Sequence, residues 1–550
     1  MVILETEHKQ LNKIVGRKLE IKELEEILFS LGYELESAEG DKLRIDITTE
    51  RPDLLSTYGL GRALRAYLGN KNDEIKINKS NYKVNVKQPA KEWMNTAAAV
   101  VKGLKLDDEK IREIIRVQEK IGGTFLRNRK KGAIGVYPLE KIKFPITFTA
   151  EKPEKIKFRP LEYQKEINGK EILEKHATGM KYKHLLEKWE KYPIFTDSKN
   201  KILSMPPIIN SHELGRVDEK TTEVFVEVSG RELKTIDMAL NVMISALVGI
   251  GGKIYSVEVN YGNKKITTPE FKGEKRTIKT EYVNKIIGTE LKTNDVKKLL
   301  EKMNHKVINS NNQSVTLLVD PLRTDIWHDI DIVDDIARAY GFNNLELRMK
   351  NVESTGETTR SVKVKEEISK LLIGLGYQEC FTLMLTNKET QFEKMNIKEP
   401  GYVKLGTTVE QGINMIRQWL LPELIRVLEN NRSAEYPQKI FEISHTTVID
   451  NTKDVGCRDV LKLSIVNCHS NVNFTEMKQV LDYLFNTLGI QYELTEVEHE
   501  SFIKGRNAKI KHNNEYIGNF GEINPKVLEN FGIEMPCTGL EINLTELFRL

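Results

Sequence analysis

Hydrophobic and polar positions fall into blocks with two periods. Ile21, Leu24, Ile27, Leu28 and Leu31 recur at helical spacing and stop at Gly32, and Leu60, Leu64, Tyr67 and Leu68 repeat the pattern up to Gly69. Between them Lys42–Thr48 alternates like a strand, and the polar stretch Asn70–Asn81 reads as a linker. Strand patterns follow at Ala97–Leu106, Ala133–Tyr137, Lys201–Asn210, Val224–Val228 and Lys253–Tyr261. They are interleaved with a helix to Ile121, capped by Asp107 and Asp108, and a helix over Thr235–Val248. The character changes near Lys264–Pro269. A helix, helix, hairpin, helix order then spans Tyr282–Leu291, Asp295–Met303, two strands near Val307 and Val315–Val319, and Asp325–Tyr340. Beyond the polar Asn351–Arg360 come helices at Val364–Gly374, Ile416–Asn430 and Phe474–Leu488, with strands at Phe381–Leu385, Lys439–Ile443, Leu461–Cys468 and Thr538–Asn543. The pattern predicts an α+β multidomain chain divided into 1–83, 84–265, 266–350 and 351–550, with no fixed-period repeat.

Composition narrows the class. Hydrophobic residues make up 39% and charged residues 30% of 550, with 84 basic against 80 acidic side chains and a net charge of +4. That balance leaves room for several cores and for a local basic surface. No run approaches the roughly 18 apolar residues of a membrane span. Met1–Gln10 carries Glu5 and Glu7 and no apolar core, so no signal peptide is expected. Cys380, Cys457, Cys468 and Cys537 form no CxxC pair, which excludes a zinc ribbon and fits a reducing cytoplasm.

Candidate chemistry is concentrated in a few places. Gly249–Lys253 follows a helix rather than a strand, so it reads as a helix end and not a phosphate loop. The basic runs Arg127–Lys131 and Lys152–Lys157 read as solvated loops. Asp325–Asp335 holds the densest acids: if Ile326, Ile330, Val333, Ala337 and Tyr340 share one helix face, Asp331, Asp334 and Asp335 gather opposite. Such acids suit either a hard cation such as Mg²⁺ or simply the helix dipole. Pro206-Pro207 keeps Lys201–Asn210 out of a central ladder and presents Asn210-Ser211. Val224–Gly230 alternates, placing Glu227 and Ser229 on one face, which taken alone reads as a solvated one. Trp419, Leu420, Leu421 and Leu424 form an apolar cluster suited equally to a subunit interface or a core.

Four segments in order carry a resemblance: Arg51–Ser56, Leu203–Ser211, Arg323–Asn344 and Tyr436–Glu442. The chain resembles the β subunit of phenylalanyl-tRNA synthetase in its shorter archaeal and eukaryotic cytosolic form. The resemblance implies a mixed N-terminal domain, an α/β editing module, a helix–helix–hairpin module and a C-terminal class II synthetase-like domain of antiparallel sheet with helices. That last domain is expected to lack catalytic motifs, since Lys439 stands where an Arg would clamp a phosphate. No residue of this chain is then expected to catalyse aminoacylation. It further implies an α subunit that binds ATP and charges tRNA(Phe), an α₂β₂ assembly in the cytoplasm, and hydrolysis of mischarged Tyr-tRNA(Phe) at Leu203, Ser211, Glu227 and Ser229. A Mg²⁺ site is implied at Asp325, Asp331, Asp334 and Asp335. A stand-alone tRNA-binding or trans-editing protein, or a structural β subunit with an inactive pocket, are the alternatives.

Overall fold

The computed structural model describes residues 2–347, 355–408, 410 and 412–550. It divides into two compact units, Met1–Met349 and Lys350–Leu550. The expected boundary at 350/351 and the first part of Asn351–Arg360 lie outside the described residues.

In the first unit the N-terminal segment forms a three-stranded antiparallel sheet, Val2–Glu7 and Glu34–Glu39 flanking Lys42–Ile47, with helices His8–Val15, Ile21–Leu31 and Thr57–Tyr67. Ser56 caps the last helix, its hydroxyl accepting from the Gly59 N–H at 3.0 Å. The segment near residues 275–344 builds a second three-stranded sheet, Lys275–Lys279 and Lys306–Ser310 flanking Ser314–Leu318, with helices Thr280–Ile287, Thr293–Lys302 and Asp329–Tyr340. Lys275–Lys279 is a strand that the hydrophobic pattern does not reveal. The two segments, some 200 residues apart in the chain, share one hydrophobic core, in which Leu24, Leu28, Leu43 and Leu60 meet Val296, Leu300, Ile332 and Ile336. Buried polar bonds cross the same junction: Arg62 pairs with Asp320 at 2.6 Å, and the Thr324 hydroxyl donates to the Glu50 carbonyl at 3.0 Å.

Between them the chain forms a ten-stranded mixed sheet. Ile77–Val86 belongs to it and runs across the expected 83/84 boundary, so the linker ends earlier; Lys265–Thr268 extends it past 265. Leu233–Gly249 and Asp108–Gly123 cover one face, and Asp107 caps the latter through the Lys110 N–H at 2.9 Å. Ile209–Asn210 and Ile202–Met205 lie at one sheet edge, as two prolines require.

The second unit is a seven-stranded sheet, antiparallel except for Gln378–Glu379, which runs parallel to Gln438–Ile449. Helices Arg360–Gly374 and Phe474–Thr487 pack on one face, and Leu421–Asn430 and Pro525–Asn530 on the other. Of the expected strand Phe381–Leu385 only Leu385 is in a strand, the two-residue Leu385–Thr386, while the sheet strand Gln378–Glu379 lies before the expected span. Leu420, Leu421 and Leu424 are buried in this unit's own core, which settles their role as core and not interface.

Because one core serves both three-stranded sheets, Leu28→Ala should cost about 2–5 kcal/mol. Hydrogen exchange should then show the helices Ile21–Leu31 and Asp329–Tyr340 losing protection together. Loss confined to the N-terminal segment would contradict the shared core.

Candidate functional site: a buried acid in the large sheet

Strand pairing builds the site. Glu223–Gly230 lies between Asn95–Lys102 and Gly132–Pro138, antiparallel to both. The register sets Glu227 between Ala98 and Gly135, Ser229 between Thr96 and Ala133, and Phe225 between Val100 and Tyr137. Directly opposed residues present their side chains to the same face. Glu227 therefore stands in a dent whose sides are alanine and glycine. A Cβ on Gly135 would collide with the Tyr137 hydroxyl and Glu227 Oε1, so only glycine fits there.

The alternation that suggested a solvated face is misleading, since this strand is covered on both sides. Glu227 is 1% exposed. The Tyr137 hydroxyl lies 3.1 Å from Glu227 Oε1 and 3.3 Å from Asn210 Oδ1. Glu227 Oε2 is buried with no hydrogen-bond partner, and the residue lines a cleft of about 590 Å³. No cation pairs with Glu227 among the described residues. Burial pushes its carboxyl up to about 8, and the nearby hydroxyls of Tyr137 and Ser229 offset only part of that. At neutral pH the group is an uncharged acid. Burial and the neighbouring Glu227 also hold the Tyr137 phenol well above its ordinary range, so it stays a hydroxyl.

Ser204, Pro206, Pro207 and Asn210 form one wall of the cleft and Ile111 and Ile114 an apolar one. Arg129 staples the proline wall in place. Its guanidinium donates to the carbonyls of Pro207 at 3.1 Å and Ile208 at 2.9 Å, pairs with Glu119 at 2.9 Å, and lies 4.4 Å from the Tyr182 ring centre. Within the run Arg127–Lys131, a loop in which Arg127, Asn128 and Lys130 are exposed, only Arg129 is held in this way, and left-handed φ values of 50°, 52° and 62° at Arg127, Asn128 and Arg129 turn the chain so that it can reach.

Of the four residues expected at this site, only Glu227 lines the cleft. Leu203 is buried in the core with Phe148, Phe195 and Phe225. Ser211 caps the short helix His212–Gly215, accepting from the Leu214 N–H at 3.3 Å. Ser229 accepts from Trp93 Nε1 at 3.1 Å. Sequence reasoning missed Tyr137, Gly135 and Arg129, because their roles follow from strand register and turn geometry rather than from local pattern.

The second candidate lies on the helix Asp329–Tyr340. Asp325 precedes the helix, and its buried side is Ile332, Val333, Asp335, Ile336 and Ala339, with Ile330 exposed. Asp335 therefore points inward, away from the solvent side of Asp331 and Asp334. Each carboxylate already has a partner. Arg323 donates to Asp325 at 2.8 and 2.7 Å and to Asp335 at 2.7 and 3.0 Å, and His305 Nε2 lies 2.8 Å from Asp335. Asp331 accepts from the Trp327 and His328 N–H groups at 2.7 Å, and Asp334 pairs with Arg338 at 2.7 Å. Among the described residues no three acidic, histidine or cysteine side chains converge to hold a metal ion. As placed, this donor set does not fit Mg²⁺: a guanidinium occupies the position of the cation.

Comparisons with known proteins define a tRNA synthetase chain. Residues 1–70 match the family described as Phe-tRNA synthetase beta subunit B1 domain, 276–342 match the tRNA synthetase B5 domain, and 345–544 match the phenylalanyl tRNA synthetase beta chain CLM domain. The chain is 40% identical to the phenylalanine–tRNA ligase beta subunit of Pyrococcus horikoshii over 548 residues, and 39% identical to that of Pyrococcus abyssi over the same length, each covering 98% of both chains. A crystal structure of an N-terminal fragment of the Pyrococcus horikoshii beta subunit superposes with a TM-score of 0.59 at 36% identity, covering 62% of this chain and 99% of the fragment. The chain belongs to the family of phenylalanine–tRNA ligase β subunits, in the archaeal form, and is part of that ligase. Among the described residues no helix is long and apolar enough to cross a membrane.

Burial opposes ionisation of Asp335, but Arg323 and His305 outweigh it and hold the carboxyl far below the usual range. A depressed folded-state value contributes stability above the unfolded value of about 3.9, and that stability is lost as pH falls below it. Asp335→Asn should cost about 3–5 kcal/mol at pH 7 by leaving Arg323 half paired. It should also flatten the loss of stability below about pH 4. A variant as stable as the parent would contradict the pairing.

Proposed function

We propose that the cleft beside Glu227 hydrolyses tyrosine esterified to tRNA(Phe), while an α subunit performs the ATP-dependent charging of that tRNA with phenylalanine in a cytoplasmic α₂β₂ assembly. In this reading residues 84–265 are the editing module, 1–83 and 266–350 frame it, and 351–550 is a synthetase-like domain without catalytic residues, ATP binding in the α chain. The exposed apolar row Phe381, Leu383, Met384 and Leu385, with Phe381 80% and Leu383 65% exposed, supports a partnered chain over a stand-alone one.

The observation that carries the reading is the buried, unpartnered Glu227 Oε2 on a residue that lines a cleft of mixed polar and apolar walls. A pocket shaped for phenylalanine rejects an added hydroxyl by only about 10²-fold, so tyrosine passes the charging site. A second pocket with a buried acceptor reverses the preference. It gains a hydrogen bond from the tyrosine hydroxyl, whereas phenylalanine leaves the acceptor unpaired, a difference of about 10⁴-fold at well-built sites. Glu227 touches the ring and not the ester. Water is the nucleophile: its oxygen adds to the ester carbonyl, the ribose oxygen leaves with a proton, and tyrosine and tRNA(Phe) are released.

Glu227→Ala in the assembled enzyme should slow deacylation of Tyr-tRNA(Phe) by about 10²-fold or more while charging with phenylalanine persists. An undiminished deacylation rate would refute the reading.

A further inference from the structure

The Tyr137 hydroxyl, fully buried, sits between Glu227 Oε1 and Asn210 Oδ1, at 3.1 and 3.3 Å, and it has one proton to give. Gly135 leaves the space that this contact fills. The other carboxyl oxygen, Oε2, has no partner and borders the cleft. A carboxyl on a free Glu side chain can rotate and offer either oxygen, protonated or not. Here one oxygen is tied and the other is not.

We propose that Tyr137, backed by Asn210, is a positioning residue that ties Glu227 Oε1 and leaves Oε2 as the carboxyl oxygen that reads a ligand hydroxyl. The inference rests on the reading of this cleft as a site for a tyrosyl ester, and it names what makes that site selective. With the acid neutral, the chain runs from Glu227 Oε1–H to the Tyr137 oxygen and from the Tyr137 O–H to Asn210 Oδ1. Glu227 Oε2 is then a carbonyl oxygen whose lone pairs point into the cleft, and a phenol O–H satisfies it. Without Tyr137, the proton and the carbonyl oxygen exchange places freely. The acid can then turn its O–H toward the cleft and lose its preference for a donor. Asn210 belongs to the proline wall that Arg129 holds, so that wall also fixes the outer end of the chain.

The test is steady-state deacylation of Tyr-tRNA(Phe) and Phe-tRNA(Phe) by the assembled ligase carrying Tyr137→Phe, Asn210→Ala or Glu227→Ala. Tyr137→Phe keeps the ring and its packing. Asn210→Ala alters a half-buried side chain and carries the test if Tyr137→Phe fails to assemble. The expected result is a tyrosine-over-phenylalanine preference reduced about tenfold in Tyr137→Phe, expressed in KM with kcat nearly unchanged, and a smaller change of the same kind in Asn210→Ala. A merely structural role would lower kcat for both esters together and leave their ratio alone. If Glu227→Ala loses the preference while both other variants keep it, the positioning role is overturned and the editing reading stands. If Glu227→Ala keeps the preference and the rate, the editing reading falls and this inference with it.

Discussion

A carboxyl group without a cation is costly to bury, and the middle sheet buries Glu227 between Gly135 and Ala98 on a strand covered on both faces. The remaining features of the cleft follow from that placement. Small neighbours are needed so that the side chain and the Tyr137 ring fit on one face. The acid escapes the cost of charge by holding its proton to about pH 8. A neutral acid with one tied oxygen then offers a directional acceptor beside the cleft. Such a group distinguishes molecules that carry a hydroxyl from those that do not, which a hydrophobic wall does poorly.

Asp335, in the same unit, shows the opposite solution. It is as deeply buried, yet Arg323 grips it with two bonds and His305 adds a third, so it remains ionised. Two buried acids thus have values driven in opposite directions by their surroundings. The difference divides their roles. Asp335 and Arg323 join the Asp329–Tyr340 helix to the chain before it, in the region where the N-terminal segment and the 275–344 segment share a core. Glu227 is held by the Tyr137 hydroxyl and by no cation among the described residues. Its second oxygen has no hydrogen-bond partner, and the residue lines the cleft.

Much of this could be read in the sequence where local rules suffice. The helices Ile21–Leu31 and Leu233–Gly249 follow from 3.6-residue periodicity, and the Asp107 cap from its side-chain chemistry. Glu227 was identifiable as a candidate only through the family resemblance, since its alternation with Ser229 alone pointed to a solvated face. What could not be read depends on distant pairing. Lys275–Lys279 and Lys265–Thr268 are short and polar and become strands only beside Ser314–Leu318 and Lys253–Asn260. No local pattern places Gly135 opposite Glu227 or carries Arg129 to the Pro207 carbonyl. Asp331, Asp334 and Asp335 looked like one outward cluster because Ile330 was counted with the buried face. The helix instead buries Ile332, Val333, Ile336 and Ala339, and that face carries Asp335 inward to Arg323.

The account depends most directly on the proton held by Glu227. Infrared difference spectroscopy of the assembled ligase, taken against the Glu227→Gln variant as a function of pH, isolates the carbonyl stretch of this one carboxyl. A band of a protonated acid at pH 7 that disappears with a midpoint near 8 is the predicted result. A carboxylate band already present at pH 6, with a midpoint in the ordinary range of a solvated glutamate, would contradict it.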